Sequence, residues 1–139
     1  MTRISGRAII FDGDEVILLF RRRKTEDGIK EYYAIPGGGQ EQGETITECV
    51  IREIKEEYNL DVKIKEFLGQ VGDDKALGYI YYCEIVGGNL ELGGEEKEHN
   101  NDDNYYEIQK IKVSELDNYN IFDENKELIR KAYKIKEGK

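Results

Sequence analysis

The alternation of hydrophobic and polar positions predicts a chain built mainly of strands. Short runs of β-branched and aromatic residues, bounded by turn residues, predict six strands, at residues 5–11, 15–21, 32–35, 62–71, 77–86 and 106–113. Apolar positions at helical spacing predict two helices, at residues 45–58 and 124–136. Polar stretches at residues 22–30 and 87–104 predict exposed loops. Because strands outnumber helices and the two helices lie far apart in sequence, the pattern indicates an α/β fold with a mixed sheet packed between helices.

The first predicted helix has signals at both ends. Thr45 is followed three residues later by Glu48, which is the capping-box pattern that starts a helix. Asn59 ends the helix, because asparagine tolerates the left-handed backbone conformation better than most residues other than glycine. At about 100° per residue, the apolar face of this helix continues into two carboxylates, Glu53 and Glu57.

The glutamates of this helix have two interpretations. Glu53, Glu56 and Glu57 repel one another at a cost of only about 0.2–0.5 kcal/mol per pair on an exposed helix, so they could form a solvated charged face. However, Glu53 and Glu57 interrupt an apolar face, and carboxylates at the edge of a core need a counter-charge or a shifted pKa. Clustered carboxylate oxygens suit Mg²⁺ or Mn²⁺, so the helix is a candidate metal site.

The composition narrows the class of protein. The chain has 139 residues, which predicts one domain over residues 1–139. The net charge of −9 argues against binding to a nucleic-acid duplex, but it permits a small phosphorylated ligand when divalent cations reverse the local charge. Two cysteines without a CxxC pattern, no signal-peptide layout and no apolar run of membrane-spanning length favour a location in the reducing cytoplasm and no membrane segment.

The glycine-rich stretch before the helix partly matches two patterns. From Gly38 through Gly43 to Thr45 it has the spacing of a phosphate-binding P-loop, but the lysine position is occupied by Glu44, which would repel phosphate. The same stretch and the helix together resemble the Nudix box, G-x5-E-x7-R-E-U-x-E-E-x-G-U, where U is a bulky aliphatic residue. Asn59 in place of glycine is the one departure, and the matching residues are Gly38, Glu44, Arg52, Glu53, Ile54, Glu56, Glu57 and Leu60.

Resemblance to the Nudix family implies both a fold and a reaction. The implied fold is an α/β/α sandwich around a mixed sheet. The implied reaction is hydrolysis of a diphosphate linkage in a nucleotide or nucleoside diphosphate derivative, with Mg²⁺ or Mn²⁺. Metal ligands would be Glu53, Glu56 and Glu57, and the attacking water could be activated by Glu53, by Glu57 or by an acid from a loop. This chemistry is reasonable, because a carboxylate can take a proton from a water whose pKa a metal ion has lowered.

The resemblance also implies roles for the residues that support the metal site. A backbone carbonyl near Gly37 would join the ligands, with the glycines forming a close-packed turn. Glu44 and Arg52 would pair with each other and maintain the geometry of the loop and the helix. The identity of the nucleotide is not implied, because specificity would come from the segments at 22–30 and 87–104.

Candidate residues outside the box are less specific. Glu98, in the acid-rich stretch 87–104, is a candidate for a further metal ligand, although solvation alone explains any single acid there. Arg21 and Arg23 lie on the same side of an extended chain and could bind phosphates, or could belong to a solvated basic cluster. Tyr33 could stack on a nucleotide base, although tyrosines in strands are more often packing residues.

Two other functions are considered beside hydrolysis. One is a non-catalytic nucleotide-sensing module on the same fold, against which the complete set of acids argues. The other is isomerisation of a prenyl diphosphate, which would need further acid–base residues, and neither Cys49 nor Cys83 lies in a setting typical of a catalytic thiol. A small-molecule nucleotide is the expected partner, and a homodimer is expected by analogy alone.

Overall fold

The computed structural model describes residues 2–93, 101 and 103–138, which form eight strands, two α-helices and one 3₁₀ helix. The strands are Arg3–Ile9 (β1), Phe11–Asp12 (β2), Glu15–Thr25 (β3), Gly28–Ala34 (β4), Gly37–Gly39 (β5), Leu60–Gly72 (β6), Ala76–Gly88 (β7) and Asn104–Lys112 (β8). The α-helices are Ile46–Tyr58 (α1) and Asp123–Lys136 (α2), and the 3₁₀ helix is Val113–Asn118. Within these residues, no helix is both long and apolar enough to cross a membrane.

The strands form two sheets. The first has the order β5-β1-β7-β6, in which β1 and β7 are parallel and the other two pairs are antiparallel. In the second sheet, β3 is the central strand and all pairings are antiparallel. One edge of β3 pairs with β8, and the other edge pairs with β2 near its start and with β4 further along. The first sheet is therefore mixed, as the sequence predicts.

Successive strand residues pack into two apolar layers on opposite faces. Ala8 joins the layer that contains Val50 and Ile54 of α1. Ile9, the next residue, points the other way and joins the layer that contains Ile129 of α2. Full burial of a side chain such as Ile9 contributes about 1.5–3 kcal/mol to folding, so the two layers hold a helix on each side. This arrangement confirms the predicted α/β fold with an α/β/α sandwich.

Helix α1 begins and ends at the predicted residues. Glu48 N donates to Thr45 Oγ1 at 3.2 Å, and Thr45 N donates to the Glu48 carboxylate at 2.8 Å, which completes the capping box. Asn59 adopts the left-handed conformation with φ of 57° and ends the helix. Its Nδ2 donates to the Asn89 carbonyl at 2.8 Å. The backbone N–H groups of residues 89, 91 and 93 donate to the carbonyls of residues 59, 58 and 57 respectively. Residues 89–93 are therefore fixed to the end of the helix.

Two local predictions are wrong. The segment at 22–30 is not a loop, because β3 continues to Thr25 and the chain returns from Gly28 as β4. Most side chains of this hairpin are exposed, so no alternating apolar face marks it in the sequence. The glycines at 37–39 form strand β5 rather than a turn, since they pair with β1 in a register that places Gly37 opposite Arg7. Between β7 and β8, the described residues 89–93, 101 and 103 belong to no helix or strand, as predicted for a loop.

Candidate active site

Three carboxylates lie together where the apolar face of α1 ends. One oxygen from each of Glu53, Glu56 and Glu57 lies within 4.8 Å of the other two. Glu57 is only 5% exposed, whereas half of the Glu56 side chain faces solvent. Oxygen ligands at these separations fit a hard divalent cation. The structure thus brings together the three glutamates that the sequence predicts as metal ligands.

A single arginine links these acids to the glycine-rich stretch. Arg52 Nε and Nη2 donate to the two oxygens of Glu44 at 2.9 and 2.7 Å, which is a bidentate pair. Its Nη1 donates to Glu53 at 3.0 Å and to Glu56 at 3.1 Å, and Nη2 also donates to the Gly39 carbonyl at 3.0 Å. Arg52 therefore fixes two of the clustered glutamates and the strand beside them in one network.

The Arg52–Glu44 pair shifts the pKa of both groups. The hydrogen bond from Arg52 is the main cause that lowers the pKa of Glu44 to about 2, and a backbone N–H from Glu41 lowers it further. The hydrogen bond to Glu44 in turn raises the pKa of Arg52. Both groups are thus charged at neutral pH, which keeps the bidentate geometry in place.

Two glycines of β5 are packed too closely for any side chain, and one of them, Gly38, lies directly against the acidic cluster. A Cβ at Gly38 would overlap the Glu53 carboxylate, so only glycine leaves room for that side chain. Gly37 has φ of 153°, and a Cβ there would overlap the Gly6 carbonyl oxygen. Cys49 Sγ donates to the Gly38 carbonyl at 3.5 Å. The glycines therefore allow a strand to approach the glutamates more closely than any side chain would permit.

The two cysteines have the properties of buried structural thiols. Desolvation by burial is the main cause that raises the pKa of Cys49 to about 11. Burial raises the pKa of Cys83 to about 12. Both thiols are therefore protonated at neutral pH, which does not suit a catalytic thiolate.

The glutamates and the β5 glycines line a cleft of about 860 Å³. This volume is within the range of nucleotide-sized ligand sites. The aromatic side chains on its walls are Tyr32, Tyr106 and Phe122. The charged side chains on its walls are Arg3, Arg7, Arg21, Glu41, Arg52, Glu53, Glu56 and Glu57. The cleft thus contains acidic groups from α1 and basic groups from β1 and β3.

Both of the predicted phosphate-binding arginines lie near this cleft. Arg21 lines it, and its Nη2 donates to the Tyr106 hydroxyl at 2.8 Å while the guanidinium lies 4.7 Å from the Tyr106 ring centre. Arg23 lines a smaller recess of about 650 Å³, which shares Tyr32 and Phe122 with the main cleft. The two arginines are therefore arranged along one continuous surface.

The predicted role of Tyr33 does not agree with its position. The Tyr33 hydroxyl donates to Gln109 at 3.1 Å, and its ring packs against Phe20 and Tyr119. Tyr32 lines the cleft instead, because successive residues of a strand point to opposite faces. The other weakly predicted residue, Glu98, lies outside the described residues.

Sequence-based reasoning misses several polar residues of the cleft, among them Arg3, Arg7 and Asn125. Arg7 Nη1 donates to the carbonyl of Ile35 at 2.9 Å, and its Nε donates to Ser5 Oγ at 3.2 Å. Burial is the main cause that lowers the pKa of the Arg7 guanidinium. The alternation of Arg3, Ser5 and Arg7 along β1 is a signal in the sequence, because it places all three on one face.

Comparison with known proteins identifies the family. The NUDIX domain model matches residues 1–131, so the chain belongs to the Nudix family. An ADP-ribose pyrophosphatase from Methanocaldococcus jannaschii is 36% identical over 95 residues, which cover 64% of this chain and 55% of that protein. The matched region thus spans about half the length of that relative.

Solved structures share the fold at low sequence identity. A NUDIX family hydrolase from Clostridium perfringens superimposes with a TM-score of 0.71 at 16% identity, covering 97% of this chain and 98% of that one. An ADP-ribose pyrophosphatase from Streptococcus suis superimposes with a TM-score of 0.65 at 18% identity, covering 96% and 92% of the two chains. These structures establish that the whole architecture of the chain is that of a Nudix domain.

Proposed function

We propose that this protein is a metal-dependent diphosphohydrolase that cleaves a diphosphate linkage in a nucleotide or nucleoside diphosphate derivative. The observation that carries this proposal is the group of Glu53, Glu56 and Glu57, whose oxygens lie within 4.8 Å of one another on the wall of a nucleotide-sized cleft. Membership of the Nudix family gives independent support. The donor set consists of carboxylate oxygens, which fits Mg²⁺ or Mn²⁺.

Each residue of the site has a distinct task in this proposal. Glu53, Glu56 and Glu57 would hold a divalent cation, which when bound would supply charge neutralisation for the diphosphate and make water easier to deprotonate. Glu57 or Glu53 accepts a proton from the attacking water, as a general base within the same cluster. Arg52 is a positioning residue, because its Nη1 donates hydrogen bonds to Glu53 and Glu56 and so holds these two side chains in place.

The strand of glycines and the Glu44–Arg52 pair set the geometry of the reaction. Gly38 permits the close approach of β5 to Glu53, and Gly37 lines the cleft beside the same acids. We propose that a backbone carbonyl of this strand faces the cation, and that the pair formed by Glu44 and Arg52 keeps α1 and β5 in register. The Methanocaldococcus relative is described as an ADP-ribose pyrophosphatase, which makes ADP-ribose the first substrate to test.

The test compares isosteric variants of the clustered acids. Glu53→Gln and Glu57→Gln are each expected to lower Mg²⁺-dependent release of nucleoside monophosphate at least a hundredfold, because a general base contributes about 10²–10⁴ in rate. Glu66→Gln makes the same change of charge at an exposed position of β6 and is the matched control. Full activity in both cleft variants would show that the assigned mechanism is wrong.

The same assay separates catalysis from nucleotide sensing. A panel of nucleoside triphosphates, dinucleoside polyphosphates and nucleotide sugars is incubated with Mg²⁺ or Mn²⁺, and phosphate or monophosphate release is scored. Thermal stabilisation by one of these nucleotides without its hydrolysis under either metal would instead favour a non-catalytic sensor. Turnover of any of them that disappears with EDTA would support the hydrolase.

A further inference from the structure

Three arginines of the cleft form no ion pair with a carboxylate in the part of the chain that the structure describes. Within residues 2–93, 101 and 103–138, no aspartate or glutamate forms an ion pair with Arg3, Arg7 or Arg21. The chain has 30 acidic residues and a net charge of −9, so acids to neutralise these arginines are abundant. By contrast, Arg52 and Arg130 are each paired with carboxylates. The cleft therefore has positive groups whose charge is not balanced by an ion pair in the described protein.

The backbone around β1 leaves space beside these arginines. Arg3 and Arg7 lie on the same face of β1, and the residue between them on that face, Ser5, has Gly39 and Gly78 opposite it on the two adjacent strands. A Cβ at Gly39 would lie 3.7 Å from the Arg3 guanidinium, and a Cβ at Gly78 would lie 3.6 Å from Arg7 Cδ and Nε. Side chains larger than glycine at these two positions would fill the space over the guanidinium groups.

Arg21 adds a buried donor that is not satisfied. Its Nη2 donates to the Tyr106 hydroxyl, but its Nε is buried and has no hydrogen-bond partner among the described residues. A buried donor without a partner is unfavourable, and more so when the group is charged. Because the Arg21 side chain lines the cleft, an anion bound there would bring a negative charge close to this guanidinium.

The arginines also affect one another. Arg3 and Arg21 both act electrostatically on Arg7 in the direction that disfavours its charged form, and Glu53 acts in the opposite direction. Arg7 is therefore close enough to Arg3 and to Arg21 for each of them to repel it, and close enough to Glu53 to connect the arginines with the acidic cluster. A bound anion would offset the repulsion between these arginines, because guanidinium groups bind phosphoryl oxygens through paired hydrogen bonds.

From these observations we infer that Arg3, Arg7 and Arg21 form an anion subsite that binds a phosphoryl group of the substrate other than those held by the metal ions. The inference rests on the proposed function for its biological use. It identifies the preferred substrates as those in which a further phosphoryl group adjoins the cleaved diphosphate, as in a nucleoside triphosphate. A nucleoside diphosphate joined to a neutral sugar would leave the subsite without its ligand.

The direct test measures binding without a metal ion, so it does not depend on catalysis. Inorganic tripolyphosphate is titrated into the protein in EDTA and about 0.15 M salt, where the Debye length is about 8 Å and distant charges are screened. We expect saturable binding to the wild type and a loss of about tenfold or more in Arg7→Gln, because a hydrogen bond to a charged group is removed. Arg3 is exposed, so Arg3→Gln should fold normally and still weaken binding severalfold.

Arg22→Gln is the matched control for this titration. It removes the same charge next to Arg21, but Arg22 stacks over the Tyr105 ring at 5.0 Å and does not line the cleft. We expect its affinity for tripolyphosphate to stay within about twofold of the wild type, because a screened charge outside the cleft contributes little. Absence of saturable binding to the wild type, or equal losses in all three variants, would overturn the anion subsite.

A second measurement connects the subsite with substrate choice. With Mg²⁺ present, Arg3→Gln is expected to lower kcat/KM for a nucleoside triphosphate severalfold more than for a nucleoside diphosphate sugar. Equal reduction for both substrates would refute the inferred preference. If neither substrate is hydrolysed by the wild type, the proposed function fails, but the binding experiment in EDTA still decides whether the subsite exists.

Discussion

Replacing Glu57 with glutamine should have opposite effects on stability with and without a divalent cation. The three carboxylates lie within 4.8 Å of one another, a distance at which each pair repels by about 0.9 kcal/mol in a water-like medium and about 3.5 kcal/mol at an effective dielectric constant of 20. Arg52 offsets part of this repulsion through its contacts with Glu53 and Glu56. Glu57→Gln removes two of the three pairs, which is about 1.7 kcal/mol in a water-like medium, and the attraction to Arg52 offsets part of that gain. We therefore expect Glu57→Gln to stabilise the metal-free protein by about 1 kcal/mol.

These free energies correspond to measurable shifts in Tm. Unfolding entropies of about 2.1 cal/mol/K per residue give about 290 cal/mol/K for 139 residues, so 1 kcal/mol corresponds to about 3 °C. In EDTA, Glu57→Gln should thus melt about 3 °C above the wild type. Mg²⁺ at a hundred times its Kd should stabilise the wild type by about 2.7 kcal/mol, or roughly 9 °C. The variant has lost a ligand and should gain much less, so the order of the two melting temperatures reverses.

Thermal melts in EDTA and across a Mg²⁺ titration test this reversal. Glu66→Gln serves as the control, since it changes the net charge equally at an exposed position of β6. Its Tm should follow that of the wild type at every Mg²⁺ concentration. The reasoning would be refuted if Glu57→Gln melted below the wild type in EDTA, or if Mg²⁺ raised both melting temperatures by the same amount. Either result would mean that these carboxylates do not form a repulsive cluster that a cation stabilises.

Three further predictions concern the supports of the acidic cluster. Gly38→Ala would place a methyl group where the Glu53 carboxylate lies and so displace that carboxylate. We expect kcat/KM to fall on the order of a hundredfold, and Mg²⁺ to raise the Tm of this variant less than that of the wild type. Arg52→Lys replaces a bidentate fork with a point charge, and steady-state kinetics should show a roughly ten- to hundredfold loss in kcat/KM; wild-type rates would contradict the positioning role. Glu44 has a pKa of about 2 against an ordinary value of 4.5, so its contribution to stability is complete above pH 4.5 and is lost as pH falls towards 2. Urea unfolding of Glu44→Gln should therefore depend less on pH across that interval than unfolding of the wild type, and parallel profiles would disprove the assigned shift.

The sequence is sufficient to predict features that depend on neighbouring residues. The capping box at Thr45, the left-handed residue Asn59 and the spacing of the three glutamates all act within one helix, where distances follow from 3.6 residues per turn. The structure reproduces each of them. The pairing of Glu44 with Arg52 crosses only eight residues and is also found as expected.

Features that depend on long-range pairing are predicted less well. The hairpin of β3 and β4 extends beyond the core with most side chains exposed, so hydrophobic alternation cannot indicate it. The cleft position of Arg7 depends on its pairing with Gly37, thirty positions later, and with Ile80 in a parallel strand. Tyr32 and Tyr33 differ only in the face they occupy, and the direction of a strand residue is decided by register, which the sequence alone does not define.

The hydrogen bond from Asn59 to the Asn89 carbonyl attaches residues 89–93 to the end of α1, so the position of residue 93 is fixed relative to the helix. A segment grafted after that residue would start from a defined place close to the three glutamates of α1, without any change to the helix. Nudix enzymes with new specificities could therefore be built on this chain by exchanging the acid-rich stretch alone. Asn59, the residue that departs from the family pattern, would fix the start of each new segment through its hydrogen bond to the Asn89 carbonyl.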